Sequence, residues 1–190
     1  MKKYIILLLF GILSFSVLQV QAANFAVTDE ATLIAAINTA NGNGETDVID
    51  LGGNNIQLST FYGAEPLGNN GFPLITSEIT FQNGTIGRSS ASAFRIIRVS
   101  STGNVTLDNI IIENGLLAGI NDDGGGIVNN GTLVIKNSII RNNTAGRSGG
   151  AIYNGGALTI VNSLLYGNRA ENSSGGAIIN FGTSLSIINS

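Results

Sequence analysis

The chain has 190 residues, a formal net charge of −3, and no cysteine, histidine or tryptophan. Those absences exclude a serine–histidine triad, a histidine general base, ordinary zinc sites and a disulfide framework. The acidic balance offers no electrostatic footprint for nucleic acid or anionic lipid, and only Phe and Tyr remain as aromatic platforms.

Residues 1–22 have the plan of an export signal. Lys2 and Lys3 open the chain, an apolar run extends from Tyr4 to Leu18, and Val20-Gln21-Ala22 supplies the small residues of a cleavage site. Cleavage after Ala22 is expected, because the apolar run is short for a spanning helix. A single domain follows. Its first part, residues 23–78, reads as an N-terminal cap with a helix over 29–41 and irregular first coils. Phe25-Ala26-Val27 is a short strand, and Thr28 or Asp29 an N-cap. Leu33, Ile37 and Ala40 share one helical face, which covers the first coil, and Asn41-Gly42-Asn43-Gly44 ends the run. Val48 to Leu51 and Ile56 to Leu58 are the next strands, and a Gly/Asn-rich loop from Phe61 to Pro73 interrupts the pattern.

From residue 79 to 190 the chain repeats. Asn83, Asn109, Asn137, Asn162 and Asn189 stand 26, 28, 25 and 27 residues apart. Two residues before each lies Phe81, Leu107, Ile135, Ile160 or Ile187. Four before lies Ile79, Val105, Leu133, Leu158 or Leu185, with a small or β-branched residue between. Each rung is a half-buried strand followed by a turn, and a period of this length with short strands predicts a solenoid. Asparagine tolerates the left-handed turn, and equivalent asparagines on adjacent coils can stack amide to amide. An architectural role is expected for all five.

Two further landmarks recur. Runs of glycine precede an aliphatic residue at Gly124-Gly125-Gly126-Ile127, Gly149-Gly150-Ala151-Ile152 and Gly175-Gly176-Ala177-Ile178. Neither a phosphate loop nor the calcium-binding nonapeptide fits them, so Gly125, Gly126, Gly149, Gly150, Gly175 and Gly176 are expected to be turn residues. The pairs Ile111-Ile112, Ile139-Ile140 and Leu164-Leu165 follow three of the asparagines, with Asn143 and Asn168 just beyond the last two.

Candidates for chemistry are sparse. Register places Asp108 beside Lys136 and Glu113 beside Arg141, which reads as solvated pairing. Asp122-Asp123 could hold a cation at a turn, though a plain turn is the simpler expectation. Arg88, Arg95 and Arg98, with Glu78, could face sugar acids or decorate the surface. No catalytic residue, metal site or cofactor is expected.

The recurring Gly149 to Ile152 and Gly175 to Ile178, with Leu165 to Asn168 or Ile140 to Asn143, resemble the repeat of polymorphic outer-membrane proteins, and Asn130 to Ser138 and Leu158 to Ser163 are similar to the same repeats in bacterial right-handed parallel β-helix proteins. The stretches Leu33 to Asn41 and Asp47 to Ile49 resemble the cap preceding bacterial right-handed parallel β-helices. The resemblance covers most of the chain after residue 22. It implies an all-β, right-handed parallel β-helix with a short capping helix, at the cell surface, in the outer membrane or outside the cell. The function it implies is non-enzymatic, an adhesin-like or structural passenger whose partners are host or cell-surface glycans or proteins. A polysaccharide-binding or pectate-lyase-like protein is the alternative, and a fragment without function of its own a third. Asn189-Ser190 repeat Asn162-Ser163, so the sequence stops within a coil. It reads as part of a longer protein, or as a truncated product that self-associates through an open end.

Overall fold

The computed structural model describes residues 22–63 and 68–190. The expected export signal, apart from Ala22, lies outside the described residues, as do residues 64–67 of the loop from Phe61 to Pro73. No helix among the described residues is long and apolar enough to cross a membrane.

Strand β1 (Asn24–Ala26) leads into helix α1 (Glu30–Asn43). Asp29 is its N-cap: the carboxylate accepts the Thr32 N–H at 2.8 Å, and the Thr32 hydroxyl accepts the Asp29 N–H at 3.2 Å. The helix continues two residues past the sequence estimate of Asn41. Gly42 and Asn43 tolerate helical geometry, and Gly44, at φ 74°, supplies the left-handed stop. Leu33, Ala36, Ile37 and Ala40 are buried against the first coil. Asn41 ties the helix end down, donating to the Leu74 carbonyl (2.8 Å) and accepting from the Thr76 N–H (2.9 Å).

The remaining strands wind as a parallel β-helix of about six turns. They are β2 (Thr46–Asp50), β3 (Asn55–Leu58), β4 (Glu78–Arg88), β5 (Ile97–Val99), β6 (Asn104–Glu113), β7 (Leu116–Leu117) and β8 (Ile127–Asn129). The later coils hold β9 (Thr132–Lys136), β10 (Ile139–Arg141), β11 (Thr144–Ala145), β12 (Ile152–Asn154), β13 (Ala157–Val161), β14 (Leu164–Tyr166), β15 (Arg169–Ala170), β16 (Ile178–Asn180) and β17 (Ser184–Ile188). The largest sheet runs β1-β2-β4-β6-β9-β13-β17, with β3, β10 and β14 on its bent continuation. The others are β15-β11-β7 and β16-β12-β8-β5.

Register makes each inward column a stack of like residues. Ile79, Val105, Leu133, Leu158 and Leu185 align, as do Phe81, Leu107, Ile135, Ile160 and Ile187. They are buried except in β17, where Leu185 and Ile187 are exposed. These columns form the core, because the alternation of each strand sends every second side chain inward.

All five rung asparagines have positive φ, between 47° and 58°. Amide contacts run between Asn109 and Asn83 (3.1 Å) and between Asn189 and Asn162 (3.4 Å), whereas Asn137 donates to Asp108 at 3.1 Å. The column begins on Asp50, whose carboxylate accepts from the Gly52 N–H, Gln82 and Asn83. Backbone geometry is the common property and amide stacking is intermittent. Asn109→Gly is therefore expected to leave stability nearly unchanged, while Asn109→Ala costs about 1 kcal/mol for its left-handed φ. Equal losses in urea denaturation would instead make the amide the cause.

The Gly52 N–H, then Gln82 and Asn83, hold the Asp50 carboxyl below its ordinary value. A depressed folded pKa contributes stability above the unfolded value, near 4, that is lost as pH falls through the folded value. Acid unfolding of Asp50→Asn should then show a shallower loss below about pH 4 than the parent chain. An identical acid limb would remove Asp50 from that account.

Three further ladders join the coils, buried at Asn129, Ser138, Asn143, Asn154 and Ser163. Asn129 donates to Asn154 (2.7 Å) and Asn154 to Asn180 (2.6 Å). Ser138, Ser163 and Ser190 each accept a backbone N–H from the coil before, at 3.0 to 3.1 Å. Asn143 and Asn168 do the same for Gly115 and Asn143. The serines and Asn143 and Asn168 thereby satisfy backbone donors at corners where a strand ladder cannot run, while the Asn129–Asn154–Asn180 amides bond to one another.

Candidate functional site

Coil length varies mostly at one corner. Residues 118–126, 146–151 and 171–177 connect β7 to β8, β11 to β12 and β15 to β16, whereas residues 130–131, 155–156 and 181–183 make the next corner. In a solenoid, insertions at one corner build loops over one face, often the binding face. The longest of these three loops folds back on itself through the Gly119 N–H to the Asp122 carboxylate (3.0 Å). It is pinned to the next coil by the Arg147 N–H to the Asp122 carbonyl (2.8 Å).

Between these loops and the outer face of the β5-β8-β12-β16 sheet lie two adjoining clefts. One, of about 220 Å³, is lined by Asn121, Asp123, Asn130, Arg147 and Tyr153, with Arg95 and Val128 behind them. The other, of about 340 Å³, shares Asp123, Arg147 and Tyr153 and adds Ser148, Ser173 and Phe181. Strand register lines up Arg98, Val128, Tyr153 and Ile179 as the outward column of the sheet. Phe181, 70% exposed, packs against Tyr153 with ring centroids 5.8 Å apart and planes tilted by 41°.

The charged centre of the clefts is a bidentate pair. Arg147 donates through Nε to Asp123 Oδ1 at 2.8 Å and through Nη2 to Oδ2. The Ser148 N–H also reaches Asp123, at 3.2 Å. Hydrogen bonding by Asp123, and then its charge, raises the Arg147 pKa. Asp123 is the one carboxylate among the described cleft residues. Acid–base cleavage of a glycosidic bond needs two carboxylates roughly 5–10 Å apart. The arrangement can bind and orient a ligand.

The other sequence candidates are dispersed. Asp122 closes its own loop and Asp123 is held by Arg147. Arg88 donates to the Asn114 carbonyl (2.9 Å) and lies over Phe94, on another side of the coil. Arg95 is 1% exposed and has contacts of its own, while Arg98 points outward from β5. Arg88 thus stands apart from Arg95, which lines the cleft, and from Arg98, which heads the outward column of the same sheet. Asp108 meets Lys136 at 3.1 Å in the open, a geometry worth about 0–1 kcal/mol. Glu113 departs from the expected solvated pair: it is buried, because Arg141 from the next coil covers it and is itself held by Tyr166 at 3.1 Å.

Gly124, Gly149 and Gly175 carry the positive φ at equivalent places. Gly125 and Gly150 align with Gly176, and a Cβ on Gly150 would meet the Gly176 carbonyl at 2.2 Å. Gly126 takes the place that Ala151 and Ala177 fill. Sequence reasoning passed over Tyr153 and Phe181. Their signal was the outward position after the inward Ile152 and the corner after β16.

Comparison with protein-family models, curated proteins and solved structures returned no significant match.

Proposed function

We propose that the chain is an exported, non-enzymatic β-helix protein of the bacterial surface or exterior, acting as an adhesin-like rod. The observation that carries this reading is in-register display. Outward residues of β4, β6, β9, β13 and β17 stand in columns, Thr80, Thr106, Val134, Thr159 and Ser186 in one of them. Parallel strands lie about 4.8 Å apart, so such columns present closely spaced groups on a rigid support. Weak contacts repeated on one rigid body add through effective concentration. The resemblance of its repeats to those of polymorphic outer-membrane proteins supports the same reading, as does the export-signal plan of residues 1–22. The outward carboxylates Asp108, Glu113 and Asp123 are each held by a cation of the next coil, which suits a surface that binds without reacting.

Expression with its own N-terminus, followed by fractionation and binding to intact cells, tests the proposal. The chain should leave the cytoplasm, and beads carrying many copies should adhere where single copies bind weakly. Cytoplasmic retention, or depolymerisation of a polysaccharide by the purified chain, would overturn it.

A further inference from the structure

We infer that the paired clefts beside Tyr153 and Phe181 form a binding subsite for an uncharged glycan, one that needs no metal ion. The inference rests on the adhesin-like reading and names the ligand class of that surface.

Four features of the clefts select among ligand chemistries. The exposed charges at the centre neutralise each other, since Arg147 grips Asp123 through two N–H groups, and Arg95 lies buried in the wall with contacts of its own. An anionic ligand would meet the Asp123 carboxylate beside Arg147, and a cationic one the Arg147 guanidinium beside Asp123. A neutral ligand is repelled by neither. Second, the walls offer both donors and acceptors. Asn121 and Asn130 bring amides, Ser148 and Ser173 hydroxyls, and Arg147 keeps further N–H groups beyond those used on Asp123. A polyol, whose every hydroxyl both donates and accepts, matches that mixture; a purely apolar ligand would leave these groups unpaired at a cost.

Third, an aromatic platform stands at the same place. Phe181 is exposed yet held against Tyr153, so its outer face is pre-positioned for the apolar C–H face of a sugar ring. Fourth, the volumes, about 340 Å³ for one cleft and 220 Å³ for the other, lie on either side of the lower limit of roughly 300 Å³ for ligand pockets and so suit ring-sized units. The clefts adjoin on successive coils, β8, β12 and β16, so a chain of sugar units would lie along the solenoid axis. Asp123 is occupied by Arg147 and the Ser148 N–H, and among the described residues no group of three or more carboxylates converges on a metal position. Acidic polysaccharides bridged by calcium are therefore not the expected ligands.

The test is a binding panel on the purified chain by saturation-transfer NMR and calorimetry. The probes are cellohexaose, maltohexaose, xylohexaose and mannohexaose as uncharged glycans, and polygalacturonate with and without calcium as the acidic one. At least one uncharged hexaose should bind, with affinity unchanged by EDTA and with transfer to aromatic protons. Phe181→Ala, at an exposed position, should weaken it roughly tenfold while circular dichroism stays the same. Arg147→Ala, with Asp123 then unneutralised, should weaken it as well. Failure of all four hexaoses at millimolar concentration, calcium-dependent binding of polygalacturonate alone, or binding indifferent to Phe181→Ala would each overturn the inference. Adhesion of bead-bound chain to cells stripped of glycans separates the two readings: if it persists, the adhesin-like rod stands and the glycan subsite falls.

Discussion

Phe81→Ala is expected to destabilise the N-terminal coils by about 3–5 kcal/mol, the range for emptying a buried aromatic site. Phe81 is fully buried on β4, between Ile49 of β2 and Leu107 of β6 in register, and it stacks on Phe72 across the core with centroids 6.1 Å apart. The cavity cannot close easily. Its floor and roof are strands fixed by parallel hydrogen bonds, and moving one coil toward the next would break that ladder. Phe81→Leu keeps most of the volume and should cost less, about 1–1.5 kcal/mol. Since each coil of a solenoid contacts chiefly its neighbours, the loss should be local. Hydrogen exchange is the sharper measurement: protection should fall in β2, β4 and β6 and persist in β12 and β13. Uniform loss across all coils would mean that the rod unfolds as a single cooperative unit.

The inward columns were legible in the sequence for a simple reason. A strand has period two and a coil a nearly constant length, so Ile79, Phe81 and their equivalents had to align and had to face inward. The αL turns were legible as well, because asparagine followed each column at a fixed offset. What remained hidden followed from the same regularity. Asn109 and Asn137 look like ladder partners, yet the step between them is 28 residues, and Asn137 turns to Asp108 instead. The serine after the asparagine, at positions 138, 163 and 190, is the residue that crosses between coils, and its role depends on a hydroxyl direction that spacing does not encode. Asn129 and Asn154 precede the Asn-Gly and Gly-Gly of the next corner, so spacing alone does not reveal that their side chains are buried.

The clefts were the least legible part. Repeats reveal what stays constant, and the clefts arise where the coils differ. The loop over 118–126 is longer than its counterpart over 146–151, and that excess carries Asn121 and Asp123 out over the sheet face. Tyr153 occupies an outward position whose equivalents are Arg98, Val128 and Ile179, so no column flags it. A site assembled from non-repeating residues on three coils has no signature in the period.

Asn154→Asp is expected to be the most damaging conservative change in the later coils, costing about 3 kcal/mol or more near neutral pH. The Asn154 amide nitrogen donates to Asn180 Oδ1 (2.6 Å) and to the Gly156 carbonyl (3.1 Å), while its oxygen accepts from Asn129 (2.7 Å), all in a fully buried position. A carboxylate there would keep the Asn129 contact and set two acceptors against its second oxygen. Burial and those acceptors both disfavour the charged form, so the introduced acid should have a folded pKa well above its unfolded value. The variant's stability relative to the parent should then recover below the unfolded value, near 4, where the neutral acid can donate to Asn180, and be lost progressively as pH rises through the folded pKa. The exposed Asn109→Asp offers the contrast. Its φ tolerates aspartate and water solvates the charge, so a change within about 0.5 kcal/mol is expected. Urea denaturation of both variants at pH 4 and pH 7 checks the pair. Equal effects at the two positions, or an Asn154→Asp loss indifferent to pH, would show that the buried amides fill space without carrying the ladder that joins one coil to the next.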